Sequence, residues 1–238
     1  MLRILRKSRQ KMLGQKKIYN YLLYAIGEIL LVVIGILLAL EINNWNEEGQ
    51  RRNAELIFYE NIKTQISRDR EQIRREMDFN SRYTMQFKYA DEIIESNDRT
   101  KTDTLGQIAH NLLNYSDFDR QGNIYETVVN SGQIELLRNH NIIDGIRSLE
   151  ELYIYINRLE NIHYDAIINL VIPKVSTAVK LSDGEVKRPE NLYTFEFQNL
   201  ILTLLRIMEE KDQIYQSAVS EIEHIIALID EERPPGGK

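Results

Sequence analysis

Cysteine is absent from all 238 residues, which excludes disulfides and thiolate metal sites and suits an oxidising compartment. Proline is scarce, at four residues, and the first is Pro173. No glycine-rich loop is present to cradle a phosphate, and Ser176, Ser182 and Ser217 lack the glycine flanks of a nucleophile elbow. No pair of carboxylates stands out for acid–base work, so the chain reads as a non-enzyme. Strand-like alternation is nearly missing, and neither repeats nor a low-complexity linker between domains interrupts the sequence.

What the chain does have is one long apolar run. Tyr21 to Leu40 is uninterrupted except by Glu28, and about 20 residues is the length a helix needs to cross a bilayer. A transmembrane helix is therefore expected over 21–42. Tyr21 and Tyr24 at one end and Trp45 at the other read as interfacial anchors, and Tyr24 to Trp45 spans ~31 Å of helix. A cleaved signal peptide is the competing reading. Its core would be shorter and would end at a small-x-small site, which Leu38-Ala39-Leu40-Glu41 does not offer.

Charge sets the orientation. Seven of the 30 basic residues precede the run, whereas Glu28 is the only acid before Glu41. Basic flanks stay on the cytoplasmic side, so residues 1–20 are expected inside, as a basic amphipathic segment on the anionic leaflet. The remainder carries 23 basic and 35 acidic side chains, net −12, which repels phosphate backbones and argues against nucleic acid as a partner. The lipid bilayer is the first expected partner, and copies of the chain or other inner-membrane proteins the next. The expected location is a bacterial inner membrane, single-pass, with the C-terminal part periplasmic.

Beyond the run, helical periodicity dominates, and an all-α bundle over 43–232 is expected, with a disordered tail at 233–238. The first helix reads from Glu47 towards Ser96, with Tyr59, Ile62, Ile66, Ile73, Met77, Phe87, Ala90 and Ile94 as its stripe. Asp69 and Glu76 interrupt that stripe, and a break is possible at Asn80-Ser81. Thr104 with Gln107 reads as a capping box for a short helix, Asn123 with Glu126 as a second, and Gly132 as a C-cap. A helix then runs from Ile142 to about Ile172, ended or kinked near Pro173. The last helix, about 195 to 232, has an a/d seam through Ile201, Leu205, Met208, Asp212, Tyr215, Val219, Ile222, Ile226 and Ile229. The two long helices are expected to pair antiparallel.

The segment from Tyr24 to Glu47, with Gly27-Glu28 at its start and Asn43-Asn44-Trp45-Asn46 at its end, resembles the signature of an uncharacterised Bacteroidota family of single-span membrane proteins. The stretch Ser131-Gly132-Gln133-Ile134-Glu135-Leu136-Leu137 resembles that family's internal Ser-Gly-x-Leu-x-Leu-Ile pattern, with Ile134 and Leu137 departing from it. The resemblance implies a helical ectodomain and a membrane setting. It carries no activity and no cofactor.

Several residues stand out as candidate sites. Glu28 is an ionisable group in an apolar run, and at 100° per residue it shares a face with Gly35 and Ala39, whose small-x-x-x-small spacing permits close helix approach. Helix association, an interfacial carboxyl and a proton pathway are the three readings of Glu28. Glu160-x-x-His163 and Glu221-x-x-His224 match the spacing of carboxylate-bridged metal bundles. Only the first pair falls on an apolar face, so no metal is expected, and Glu160 and His163 are expected to satisfy each other, meet nearby polar groups or face a partner. Arg138 and His140 flank a corner that either holds a small ligand or simply caps helices. Asp212 would pair with a base or fix the register. Tyr193, Phe195 and Phe197 read as core rather than as a ligand cage.

Overall fold

The computed structural model describes residues 17–119 and 137–232, with side chains from residue 21 onward. The basic segment at 1–16, the Asn123/Glu126 capping box, Gly132 and the tail at 233–238 lie outside the described residues. Two compact units are separable, Met1–Ala54 and Glu55–Lys238. Helix α1, Lys17–Glu95, contributes to both.

In the first unit α1 is exposed all round. From residue 21 to 50 only Ala25 is even half-buried, and the apolar run has none of its length buried within the chain. By length and composition this helix is able to cross a membrane.

The second unit is a bundle whose logic is the heptad. From Glu55 to Ile94 the inward positions of α1 alternate steps of four and three without a break: Glu55, Tyr59, Ile62, Ile66, Asp69, Ile73, Glu76, Asn80, Tyr83, Phe87, Ala90 and Ile94, each buried or half-buried. Asp69 and Glu76 thus belong to the stripe that they seemed to interrupt. No break occurs at Asn80-Ser81; Asn80 is buried and its Nδ2 donates to the Met208 carbonyl at 2.9 Å.

Helix α1 ends in a Schellman motif. Asn97 takes a positive φ of 48°, Asp98 N–H bonds to the Ile93 carbonyl and Asn97 N–H to that of Ile94. Asp98 then caps the 3-10 turn Arg99–Lys101 by accepting from Thr100 N–H at 3.0 Å. Helix α2, Thr102–Asn111, follows directly, so Thr104 lies inside it and is no N-cap. An irregular segment from Leu112 to Asp119 leaves α2.

Helix α3, His140–Ala166, is capped by Asn139, whose side chain accepts from Asn141 N–H. It passes into a π turn, Ile167–Val171, and the short helix α4, Ile172–Val175. Pro173 has no N–H for the carbonyl four residues back and its ring crowds it, so the chain widens by one residue in the turn before it. A turn closed by the isolated bridge Val179–Val186 and a 3-10 turn, Pro189–Tyr193, lead to helix α5, Phe195–Glu231. Thr194 caps α5 through Phe197 N–H, which is why the alternation at 193–197 starts a helix and not a strand. Among the described residues there is no strand.

Helices α1 and α5 run antiparallel in this unit. Gln198 meets Asp91 and Glu95, Lys88 meets Glu209, and Arg74 meets Glu223. These exposed pairs mark register and add little stability. The core falls into two apolar clusters. One joins Phe87 to Ile94 of α1 with Leu105, Val171, Phe197 and Met208; the other joins Tyr59 to Ile73 with Ile142 to Ile156 of α3 and Tyr215 to Ile229 of α5.

One close approach fixes the 179–186 turn on α2. A Cβ on Gly106 would lie 2.2 Å from Val186 Cγ2 and 3.3 Å from the Gly184 carbonyl, and Gly184 itself adopts a φ of +77°. Gly106→Ala is therefore expected to destabilise the protein by about 1–3 kcal/mol through overpacking. Val186→Ala in the same chain should recover part of that loss. Urea denaturation of the two single variants and the double variant measures the coupling, and strict additivity would show that the turn does not bear on Gly106.

Candidate functional site

Between the two apolar clusters every long helix of the second unit turns polar at one level. Helix α1 supplies Glu76 and Asn80, α3 supplies Glu160 and His163, and α5 supplies Lys211, beside Tyr215. Glu160 is 4% exposed, and His163 and Lys211 are both 0% exposed. Buried ionisable groups of this kind need a reason, because each loses its hydration.

The reason is a length of backbone. Residues Tyr115 to Phe118 cross the bundle with no helix or sheet to absorb their polar groups, and Ser116 and Phe118 are buried. Glu160 Oε1 accepts from Phe118 N–H at 2.8 Å and from the Tyr215 hydroxyl. Lys211 Nζ donates to the Ser116 carbonyl at 2.6 Å, Tyr215 lies 3.2 Å from Ser116 Oγ, and Glu76 Oε2 accepts from Asp117 N–H at 3.3 Å. A second fastening holds residues 138–139: Arg138 N–H donates to the buried Glu55 at 2.8 Å, and Asn139 Nδ2 reaches Glu232 at 2.8 Å.

Electrostatics follow from burial. Desolvation pushes the Glu160 carboxyl up to about 7, against the hydrogen bonds from Tyr215 and Phe118 and the Lys211 charge, which favour the ionised form. Desolvation, helped by Lys211, lowers His163 to about 3, so the ring is neutral. Lys211 is lowered to about 8 by burial, with Glu160, Asp117 and Glu76 opposing. The Tyr215 hydroxyl is pushed far up and stays protonated.

The sequence-derived candidates separate under this geometry. Glu160 meets nearby polar groups, but it does not satisfy His163: among the described residues Glu160 Oε2 and both His163 ring nitrogens have no hydrogen-bond partner. Asp212 is exposed, and the polar member of the α5 seam is Lys211, because α5 turns its Leu204, Lys211, Ala218 and Ile225 edge inward. Arg138 is half-exposed with its guanidinium 3.9 Å from Glu55, and His140 is exposed at the start of a capped helix. The two Glu-x-x-His pairs do not converge, since Glu221 is half-buried and His224 exposed. Among the described residues no three His, Asp or Glu side chains are placed to share a metal ion. Phe197 is buried, Phe195 is exposed, and Tyr193 stacks under Arg99 at 3.8 Å, so these aromatics form no cage. In the first unit Glu28, Gly35, Ala39, Tyr21, Tyr24 and Trp45 are all exposed.

Lys211 and Glu55 carry no expectation from the sequence, and Glu76 and Asn80 read there only as an interruption of the stripe and a possible break. The signal for Lys211 was its spacing, three after Met208 and four before Tyr215.

A family of unknown function (DUF6090) matches residues 28–201, nearly three-quarters of the chain. The chain belongs to that family. The match takes in Glu28, Gly35, Glu160 and His163, whereas Lys211 and Tyr215 lie beyond it. No curated protein and no solved structure matches the chain.

Replacing Glu160 by Gln tests the electrostatics. The unfolded carboxyl titrates near 4.5 and the folded one near 7, so its contribution is complete below about pH 4.5 and is lost as the pH rises to about 7. Glu160→Gln keeps an oxygen for Phe118 and Tyr215 and has no proton to lose. Wild type should fall relative to the variant by up to about 3 kcal/mol across that window. Denaturation of both at a series of pH values reads the difference, to which His163 contributes equally on both sides. A flat difference would contradict the assignment.

Proposed function

We propose that this member of the family is a membrane-anchored helical interaction module, an accessory or scaffold subunit of an inner-membrane or envelope assembly. The observation that carries the reading is the apolar stretch of α1 from Tyr21 to Ile42, exposed at every position but Ala25 and covered by none of the described residues. Apolar surface on that scale requires lipid or a partner helix. Basic residues before it and acidic residues after it favour an N-terminus in the cytoplasm and a periplasmic second unit.

Association through the span is supported by the small-residue face that carries Glu28. Glu28, Gly35 and Ala39 line up, and a Cβ added at Gly35 would meet nothing within 4 Å, so the backbone is open to a neighbour. A carboxyl facing a second helix there finds hydrogen-bond partners that lipid does not offer. A sensory bundle that signals through a partner is the second reading. What favours it is the buried polar layer, a plane where titratable groups interrupt an otherwise apolar core.

The cysteine-free chain makes the test direct. Ile42→Cys, on the Glu28 face, should crosslink in native membranes, and Leu37→Cys, on the opposite face, should not. Adding Gly35→Leu should weaken the Ile42→Cys adduct roughly fivefold, about 1 kcal/mol of association. Recovery of monomer alone from every variant would overturn the module reading. A reporter fused after Lys238 that proved active only in the cytosol would overturn the topology.

A further inference from the structure

Three buried polar atoms on adjacent turns of α3 lack any protein partner among the described residues: Glu160 Oε2 and the two ring nitrogens of His163. Leaving such atoms dry costs stability, and native interiors satisfy nearly all of them. Their surroundings are specific about what would satisfy them. The neutral imidazole presents one donor and one acceptor, and the carboxyl presents Oε2, its Oε1 being already engaged by Phe118 and Tyr215. The edge-on contact of Tyr115 with the His163 ring, at 6.0 Å between centroids, is too weak to serve both nitrogens.

Charge selects among ligands. Glu160 and the fully buried Lys211 already favour each other's charged form, so an added ion of either sign would oppose one of them, and a neutral ligand opposes neither. What remains is a neutral species, small enough for a packed core, that both donates and accepts. We propose that the polar layer is an internal water-binding site, in which ordered waters bridge Glu160 Oε2 to the His163 ring beside Tyr215. The two ring nitrogens diverge, so more than one water is held. Buried polar groups left without a protein partner are where interior water is held, whereas the apolar clusters on either side offer it no hydrogen bond.

Radiolytic hydroxyl footprinting of the full chain in detergent tests this, because radicals born on bound water oxidise side chains that bulk solvent never reaches. After correction for intrinsic reactivity, His163 and Tyr215 should label about tenfold faster than Phe87 and Phe197, which are equally buried in the dry clusters. In rapid mixing with heavy-oxygen water, their label should exchange later than that of exposed residues. Glu160→Met combined with His163→Leu should bring Tyr215 down to the rate of the phenylalanines. Protection of His163 and Tyr215 equal to that of Phe87 and Phe197 would falsify the site. So would immediate isotope uptake, which marks opening to bulk solvent. The wild-type measurement decides even where the double variant does not fold.

Discussion

An extended stretch of backbone inside a helical bundle has no ladder to bond with, and the second unit is organised around that fact. Residues 115–118 bury Ser116 and Phe118 in the bundle, where an unpaired amide or carbonyl is far more expensive than at the surface. Apolar side chains cannot answer it. Glu160, Lys211 and Glu76 do, from three different helices, and the Tyr215 hydroxyl donates in turn to Glu160. Each is held at its level by the heptad spacing of its own helix, so the polar contacts and the apolar seam specify the same register.

The arrangement is costly in isolation and coherent as a set. A carboxyl and an ammonium taken out of water each lose more than a single pairing returns. Here both also bond to backbone, and Glu160 and Lys211 favour each other's charged form. Substituting the layer by leucine would strand the amide of Phe118 and the carbonyl of Ser116. The layer therefore fixes where the crossing segment lies more than it adds to net stability. Two apolar clusters on either side supply the burial that offsets its cost.

Much of this was legible in residues and spacing. The all-helical class, the course of α5, the exposed apolar run and the disturbance at Pro173 follow from periodicity and backbone chemistry. The polar layer was half legible. Glu160 and His163 fall on the apolar face of their helix, but the spacing puts Asp212 in the polar seam position that Lys211 occupies. Helix α5 presents an apolar face wide enough to admit either edge, with Leu204 and Leu205, or Ala218 and Val219, both buried, and one-dimensional spacing cannot choose between them. Asp69 and Glu76 looked like interruptions because their partners, Tyr153 and the backbone of Asp117, are remote in sequence. Capping at Asp98 instead of Thr104 has the same origin: the Schellman motif at Asn97 sets where the next turn begins.

Helix α1 joins two different answers to the same problem of apolar surface. From Tyr21 to Ile42 its side chains are apolar all round except at Glu28 and Glu41, and nearly all exposed, a pattern that a surrounding apolar medium or another helix satisfies. From Glu55 onward the same helix carries a single stripe, with charged residues such as Arg74 and Lys88 on its outer face, the pattern of a helix packed on one side and wet on the other. Polar residues fill the interval between them, with Trp45 the last large apolar side chain before the stripe begins to pack. The change of pattern along one continuous helix therefore separates a stretch long and apolar enough to cross a membrane from a stretch that packs on one side only.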